Sequence, residues 1–292
     1  MSVGSPVLPA LYNAADAASS IGQRTFLALR GGQLLALLVG AIGGVVVVRV
    51  QQIDAAGLLV VAAFLSVAGL QYWLSQADPQ RSWYDGRAAA ESVKTLAWRY
   101  AVRAAPFQGD ADSDGVFVAQ LAGTLKQLGH LALPAGGTEQ ITGWMRALRS
   151  EPLESRRETY KLLRIDEQHT WYADRAETSR RMTTAWRIAL SALAVLGALG
   201  GVAKTLLLID INLVGLAATA VTGSAAWLET RQHETLAVAY GLTAQELASA
   251  AALINGPTDE EAWSDFVNDC EAAISREHTT WRASRTARGG RR

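Results

Sequence analysis

The sequence predicts an all-α integral membrane protein: four transmembrane helices arranged as two tandem hairpins, with a cytoplasmic helical bundle beside them. Four windows of the chain carry no charged residue: 31–48, 55–77, 188–203 and 211–228. These windows form two closely spaced pairs, and the second pair repeats the first about 157 residues later. A run of about 18 residues, at about 1.5 Å per residue, covers about 27 Å, which is close to the hydrocarbon thickness of a bilayer.

The composition alone would also suit a soluble helical protein, because 50% of the residues are hydrophobic and the formal net charge is zero. The distribution of charge favours the membrane, since charges are dense between the apolar windows and missing within them. A soluble bundle remains the alternative. We expect the spans at about 31–50, 55–75, 186–208 and 211–228.

Lysine and arginine residues flank the spans unevenly. They cluster before the first and third spans and after the second and fourth, whereas each hairpin turn carries one cation. The flanking cations are Arg24, Arg30, Arg81, Arg87, Lys94, Arg180, Arg181, Arg187 and Arg231. Because such residues prefer the cytoplasmic side, we expect both termini in the cytoplasm of a bacterium and the protein in its inner membrane.

The two halves align around their first spans, where Gly40 and Gly44 correspond to Gly197 and Gly201. Since each half has two spans, both copies insert in the same orientation, as a parallel duplication. The GxxxG spacing puts each glycine pair on one helix face and lets another backbone approach closely. Packing within the monomer and contact between copies in a homo-oligomer are both open, and the first is favoured.

Asp54 and Asp210 directly precede the second apolar window of each half, where a carboxylate caps the first free amides of a helix. We predict that both are hairpin caps.

Three tryptophans, Trp73, Trp186 and Trp227, fall at the predicted cytoplasmic boundary, as interfacial anchors do. Ordinary buried tryptophans are the alternative for each one. No acidic residue lies inside a span, which disfavours a coupled transporter. The small hydroxyls of Ser66, Thr219 and Thr222 either bond their own helix backbone or line a pore between copies.

Outside the spans, helical patterns are predicted at 81–105 and 229–254. Another helix is predicted to begin at Thr258, with Glu261 completing a capping box. One stripe of this last helix is apolar: Trp263, Phe266, Val267, Cys270, Ile274 and Trp281. The opposite face is predicted to be acidic and exposed: Asp259, Glu260, Asp265, Glu271 and Glu277. A further helix is predicted to open at Ser150 and Pro152 and to continue into the third span.

No catalytic motif is visible, and we expect no enzyme activity, no cofactor, no metal ion and no nucleic-acid partner. Asp110, Asp112, Asp114 and Gly115 resemble the start of an EF-hand loop, but Leu121 occupies the twelfth position, where calcium needs a bidentate glutamate. An acidic loop that caps a helix beginning near Val116 is favoured over a cation site. The four histidines, at 130, 169, 233 and 278, have no metal-ligand spacing.

Four segments are similar to the SLATT family, the SMODS and SLOG-associating two-transmembrane effectors: DGRAAAESVKTLAWRYAVRAAPF (85–107), RIDEQHTWY (164–172), TRQHETLAVAY (230–240) and AWSDFVNDCEAAISREHTTW (262–281). The resemblance covers nearly the whole chain as two units in tandem. It divides the chain into a first unit (1–105), a connecting region (106–150) and a second unit (151–292).

The resemblance implies a membrane effector of a bacterial conflict system, which forms pores or disrupts the membrane when a cytoplasmic sensor or nucleotide-signalling partner responds to infection. We expect a homo-oligomer in the lipid bilayer. Two other functions are open: a non-conducting membrane scaffold that docks a cytoplasmic partner, and a housekeeping channel.

Overall fold

The predicted all-α fold is confirmed by a computed structural model that describes residues 5–46, 48–50, 53–109, 111–129, 131–134, 137–208 and 213–289. The α-helices are α1 (Ala10–Val45), α2 (Ala55–Ala77), α3 (Pro79–Ala101), α4 (Ser113–Gln127), α5 (Gly143–Ser150), α6 (Leu153–Tyr160), α7 (Glu167–Thr205), α8 (Leu213–Arg231), α9 (His233–Leu253) and α10 (Glu260–Gly289). A π-helix, Lys161–Asp166, joins α6 to α7. Two short strands, β1 (Arg49–Val50) and β2 (Ile53–Asp54), pair antiparallel between α1 and α2.

The chain divides into two compact units. The hairpin unit consists of Arg24–Pro79 and Thr178–Ala237, and so contains the four predicted spans. The helical-core unit consists of the described parts of Met1–Gln23, Gln80–Glu177 and Val238–Arg292. Each unit therefore draws helices from both halves of the repeat, and the proposed division at 1–105, 106–150 and 151–292 stays a prediction.

Four helical stretches of the described chain are long and apolar enough to cross a membrane: Ala10–Val45, Ala55–Ala101, Leu153–Thr205 and Leu213–Leu253. Within the hairpin unit, large apolar side chains point outward from α2 and α7. Leu65 is 67% exposed and Leu196 is 63% exposed. A surface of this kind suits lipid, because water would make such exposure costly over so many residues.

A break with positive φ follows the second span of each half. Asp78 (φ 35°) separates α2 from α3, and Gln232 (φ 53°) separates α8 from α9. The left-handed conformation at these two positions ends each helix. The predicted order of span, turn, span and helix is therefore shared by both halves.

The helical-core unit has a buried centre of aromatic and aliphatic side chains. Trp98 contacts Trp144 and Tyr160 edge to face, and Tyr160 contacts Trp263 in the same way. The ring centroids are 5.1–5.7 Å apart, within the range in which edge-to-face pairs are favourable. These contacts join α3 from the first half to α6 and α10, so the core is shared between the halves.

Several predicted boundaries are wrong. The first span is predicted to end at about residue 50, but α1 ends at Val45 and Arg49–Val50 form β1; the helix predicted from residue 229 is α9, which begins at His233. Helix α3 ends at Ala101 and not at residue 105, because Arg103 adopts a left-handed conformation (φ 61°). Helix α10 begins at Glu260, and its cap is Asp259, whose carboxylate accepts a hydrogen bond from the amide of Ala262 at 2.9 Å. Thr258 lies one residue before the cap, so the capping box predicted with Glu261 does not form there.

The predicted apolar stripe of α10 is confirmed for its described members: Trp263, Val267, Cys270 and Ile274 are buried, and Phe266 is half-buried. The predicted exposure of one member of the acidic face, Glu271, is wrong. Glu271 is completely buried, because its carboxylate is held by a buried arginine. The side chains of Glu277 and Trp281 lie outside the described part of the chain.

The helix predicted to run from Pro152 into the third span is also confirmed. Pro152 is the N-cap of α6, and the chain continues without interruption through the π-helix into α7, which ends at Thr205.

Candidate functional site

The glycines of the second hairpin pack α7 tightly against α8. A Cβ placed on Gly197 would lie 2.7 Å from the Cβ of Ala217, and one on Gly201 would lie 3.2 Å from Val214. Gly200 is similarly close to Leu213, at 2.9 Å. Real Cβ contacts are essentially never shorter than 3.0 Å, so Gly197 and Gly200 must lack a side chain for the two helices to meet as they do.

The glycines of the first hairpin differ from one another. Gly40 faces Ala63 on α2, with a hypothetical Cβ 3.3 Å from that methyl group, and Gly43 faces Val60 at 3.1 Å. Gly44 faces open space, with no described atom within 4 Å of the added Cβ. Two other glycines of the spans, Gly69 and Gly223, are open in the same way. The first GxxxG pair therefore gives one glycine to packing within the chain and leaves the other free.

A polar link that sequence reasoning missed joins α1 to α2. Gln33 is buried, and its amide donates to the side-chain oxygen of Gln71 at 3.0 Å, while Arg30 donates to Gln33 at 3.1 Å. Hydrogen bonds between spans add stability because lipid offers no alternative partner. The available signal was that Gln33 is the one polar side chain in the window 31–48.

The equivalent arginine of the second hairpin makes a different link. Arg187 corresponds to Arg30 in the repeat, and it forms an ion pair with Glu234 at 2.8 Å. Both side chains are well exposed, so the pair contributes little stability by itself. Arg187 therefore reaches another helix, whereas Arg30 bonds Gln33 within its own helix α1.

The predicted interface tryptophans occupy different environments. Trp73 is 57% exposed, whereas Trp186 and Trp227 are half-buried. Trp227 lies on Gly31 of α1, with its ring 3.7 Å from a hypothetical Cβ there, and the guanidinium of Arg231 lies over the ring at 5.5 Å from its centroid. Trp227 therefore packs the two hairpins together.

The candidate pore-lining hydroxyls include two that bond their own helices. Ser66 donates to the carbonyl of Ala62 at 2.8 Å, and Thr219 donates to Gly215 at 3.0 Å. Thr222 is exposed. A hydroxyl that is satisfied by its own backbone tolerates lipid, and it still offers its oxygen to water in a pore.

The predicted cap at Asp54 lies at the N-terminus of α2. Its extended backbone (φ −81°, ψ 97°) directs the carboxylate to the amide of Ala56, at 3.1 Å. The other predicted cap, Asp210, lies outside the described residues.

A buried carboxylate organises the helical-core unit. Glu271 on α10 accepts four hydrogen bonds: from Nε and Nη2 of Arg164 at 2.8 and 2.6 Å, from the hydroxyl of Tyr160 at 3.0 Å, and from Thr95 at 2.8 Å. Glu271 and Arg164 are both 0% exposed. Three segments of the chain, α3, α6 and the π-helix, therefore meet at one side chain of a fourth.

The Arg164–Glu271 pair shifts the ionisation of its surroundings. Burial alone would lower the pKa of Arg164, but the carboxylate of Glu271 raises it above its usual value. Burial and the same carboxylate raise the pKa of Tyr160. Removing one partner of such a pair costs about 3–5 kcal/mol, because an uncompensated charge remains buried. Replacing both with apolar side chains is often neutral, so the pair by itself does not show a net gain in stability.

Two more buried arginines, Arg149 and Arg156, donate hydrogen bonds to backbone carbonyls at and just beyond the C-terminal end of α3. Nη1 of Arg149 donates to the carbonyls of Tyr100 and Phe107 at 2.9 and 2.8 Å, and Nη1 of Arg156 donates to Val102 at 2.7 Å. The indole of Trp263 donates to the same carbonyl of Val102 at 3.0 Å. The last carbonyls of a helix lack intrahelical partners, and the helix dipole favours cations there.

The acidic loop before α4 is used for structure. Asp114 accepts a hydrogen bond from the hydroxyl of Tyr100 and pairs with Arg146 at 2.9 Å. Helix α4 begins at Ser113, so the residues that an EF-hand would use as its later ligands are helical. Asp110 and His130 lie outside the described residues, and the described part of the chain has no group of three metal-ligating side chains.

Comparisons with known proteins agree with this architecture. The model of SMODS and SLOG-associating 2TM effector domain 3 matches residues 9–157, and that of SMODS and SLOG-associating 2TM effector domain 1 matches residues 160–281. No curated protein and no solved structure matches the chain. The two matches meet within α6, directly before the π-helix that carries Arg164. With both matches covering nearly its whole length, the chain belongs to the SLATT family of two-transmembrane effector domains, as a tandem of two.

Proposed function

We propose that this protein is a membrane effector of a bacterial conflict system, which assembles into homo-oligomers and permeabilises or perturbs the inner membrane on a cytoplasmic signal. The observation that carries the proposal is the combination of four outward-apolar helices in the hairpin unit with a separate, well-packed helical-core unit. The family supports the effector role.

The proposed orientation places both termini and the helical-core unit in the cytoplasm. It is supported by the arginines that flank the spans, among them Arg24, Arg180 and Arg181. The two hairpin turns contain few residues, so almost all of the polar chain is on one side. A signal would therefore reach the protein from the cytoplasm, through a sensor or a nucleotide-signalling partner.

Self-association is proposed to use the glycines that the single chain leaves free. Gly44, Gly69 and Gly223 face open space, so a helix of another copy would approach them closely. Gly40 and Gly197 are less suited, because each already packs against its hairpin partner. A pore between copies would expose Thr222 and, through their second lone pairs, Ser66 and Thr219 to water.

The experiment is controlled expression in bacteria with and without the neighbouring genes, following growth and membrane potential with a voltage-sensitive dye. We expect depolarisation when the signal is present or expression is high. Gly69→Leu and Gly223→Leu should abolish depolarisation while the purified chain keeps its thermal stability. Full membrane potential under all inducing conditions would refute the effector function. Partner binding without depolarisation would favour the scaffold, and steady conductance in reconstituted bilayers without a signal would favour the channel.

A further inference from the structure

The buried face of the helix from α6 to α7 changes phase by one residue at the π-helix. In α6 the buried positions are Arg156 and Tyr160, four residues apart, and Arg164 continues this spacing. In α7 the buried positions are Tyr172, Ala176 and Ser179. At 3.6 residues per turn, they lie about two, three and four full turns after Ile165, so they share the helix face of Ile165 and not that of Arg164. Arg164 and Ile165 are neighbours in sequence, and both are 0% exposed.

A π-helix produces this offset, because its hydrogen bonds close over one more residue than those of an α-helix. If residues 161–166 were α-helical, with none removed, the α6 face would continue into α7 through Trp171, Arg175, Thr178 and Met182. Trp171 is half-buried beside Tyr240, and Met182 is 45% exposed, so this second face is partly apolar. Helix α7 therefore has two partly apolar faces that are offset by one residue. The face of Tyr172 and Ala176 is buried in the structure, and the face of Trp171 and Met182 is not fully buried.

The side chain that occupies the point of offset is the one held by Glu271. Arg164 lies at the fourth position of the π-helix, and its two-fold hydrogen bonding to the carboxylate fixes both its distance and its orientation. Tyr160, four residues before Arg164 on the buried face of α6, donates a hydrogen bond to the same carboxylate. The third guanidinium nitrogen, Nη1, is buried and has no hydrogen-bond partner in the described part of the chain. The site therefore orients the guanidinium through Nε and Nη2 and leaves Nη1 without a hydrogen bond.

We propose that the Arg164–Glu271 pair is a register latch, which holds the π-helix and so fixes the rotation of α7 relative to α6. Release of the pair converts the π-helix to α-helix and turns α7 by about 100°, the angle of one residue. Because α7 is continuous to Thr205, this rotation passes along the helix to the third apolar span. The consequence at the membrane rests on the proposed function, whereas the latch itself does not.

The test measures rotation directly, in the full-length protein in detergent. Spin labels at Ser92→Cys on α3 and Asp174→Cys on α7 report one distance within the helical-core unit; both positions are exposed, and the native Cys270 is buried. A 100° turn moves a side chain on a helix of about 6 Å radius by about 9 Å. Single-label samples control for labelling of Cys270.

Three variants carry the comparison. Arg164→Met with Glu271→Leu removes both charges without leaving either one buried alone, and it should populate a second label distance several ångströms from that of the wild type. Deletion of Leu162, an exposed residue of the π-helix, should keep the wild-type distance, because it removes the additional residue and leaves α7 in the rotation that the π-helix gives it. Thr95→Val removes one hydrogen bond to Glu271 but keeps the ion pair, and it should retain the wild-type distance.

The latch is refuted if the double variant keeps the single wild-type distance, or if it loses its packed core without populating the second distance. Membrane potential is followed in cells with the same variants. A shifted distance with an unchanged potential upholds the latch and refutes its link to permeabilisation. Depolarisation without any shifted distance upholds the proposed function and refutes the latch.

Discussion

Gly197 on α7 and Ala217 on α8 approach so closely that a methyl group on the glycine would lie 2.7 Å from that of the alanine. Such a distance has to be relieved by separating the two helices, since neither atom belongs to a flexible side chain. Gly40 and Ala63 form the equivalent contact in the first hairpin, at 3.3 Å. The second hairpin is therefore the tighter of the two.

A graded response to alanine follows. Gly197→Ala should destabilise the protein by about 1–3 kcal/mol through overpacking. Gly40→Ala should have a smaller effect, because its neighbour needs to move by only a few tenths of an ångström. Gly44→Ala is the matched control and should be neutral or slightly stabilising, since alanine favours helix and no described atom is near. Thermal unfolding in detergent measures the order, and equal effects at 197 and 44 would contradict the observed packing.

The start of α2 gives a second prediction. Asp54→Ala removes the hydrogen bond to the amide of Ala56 and should cost about 1 kcal/mol, the usual value of an N-cap. Asp54→Asn should retain most of the stability, because an amide oxygen caps almost as well as a carboxylate. Denaturation of both variants in the same detergent separates capping from charge. If Asp54→Asn lowered the stability as much as Asp54→Ala, the negative charge of the carboxylate, and not its hydrogen bond, would be the stabilising feature.

Sequence patterns predicted the spans and the apolar stripe of α10 because both depend on local periodicity. Trp263, Val267 and Ile274 repeat at helical spacing, so burial of one face could be read directly from the sequence. Glu271 was placed on the exposed face, since a glutamate is almost never buried without a partner. That partner, Arg164, is 107 residues away in sequence, and no local pattern indicates such a pair.

The predicted end of α3 is wrong for a related reason. The predicted helix ends at residue 105, but α3 stops at Ala101, where Arg149 and Arg156 from distant segments bond carbonyls at and just beyond its end. The π-helix likewise has no composition signal. Its trace in the sequence is a phase shift of the buried positions, which becomes visible only when burial is known.

Arg149 provides a third prediction, because its guanidinium serves several backbone oxygens at once. Arg149→Met would leave the carbonyls of Tyr100, Phe107 and Gly109 without this donor, and we expect a loss of at least about 3 kcal/mol. Arg149→Lys should recover only part of this, since an ammonium lacks the planar fork. Arg146→Met, which removes an exposed pair with Asp114, is the control and should cost less than about 1 kcal/mol. Comparable losses at 146 and 149 would show that burial of the fork is unimportant.

Stability at alkaline pH gives the last prediction. Burial, with the neighbouring carboxylates of Glu271 and Asp269, raises the pKa of the Cys270 thiol from 9.0 to about 12. Burial and the hydrogen bond to Asp114 raise the pKa of Tyr100 from 10.0 to about 12. Both groups stay neutral in the folded protein, so their contribution is complete below about pH 9 and is lost as the pH rises towards 12, where the unfolded chain ionises first.

The free energy of unfolding should therefore fall between pH 9 and 12, by up to about 4 kcal/mol for the thiol alone, at 1.36 kcal/mol per pKa unit. Cys270→Ala removes this titration while keeping a small apolar side chain, so its stability should decline less steeply over that interval. Chemical denaturation at a series of pH values measures both slopes. Parallel curves for the wild type and Cys270→Ala would mean that the thiol ionises as readily in the folded core as in the unfolded chain.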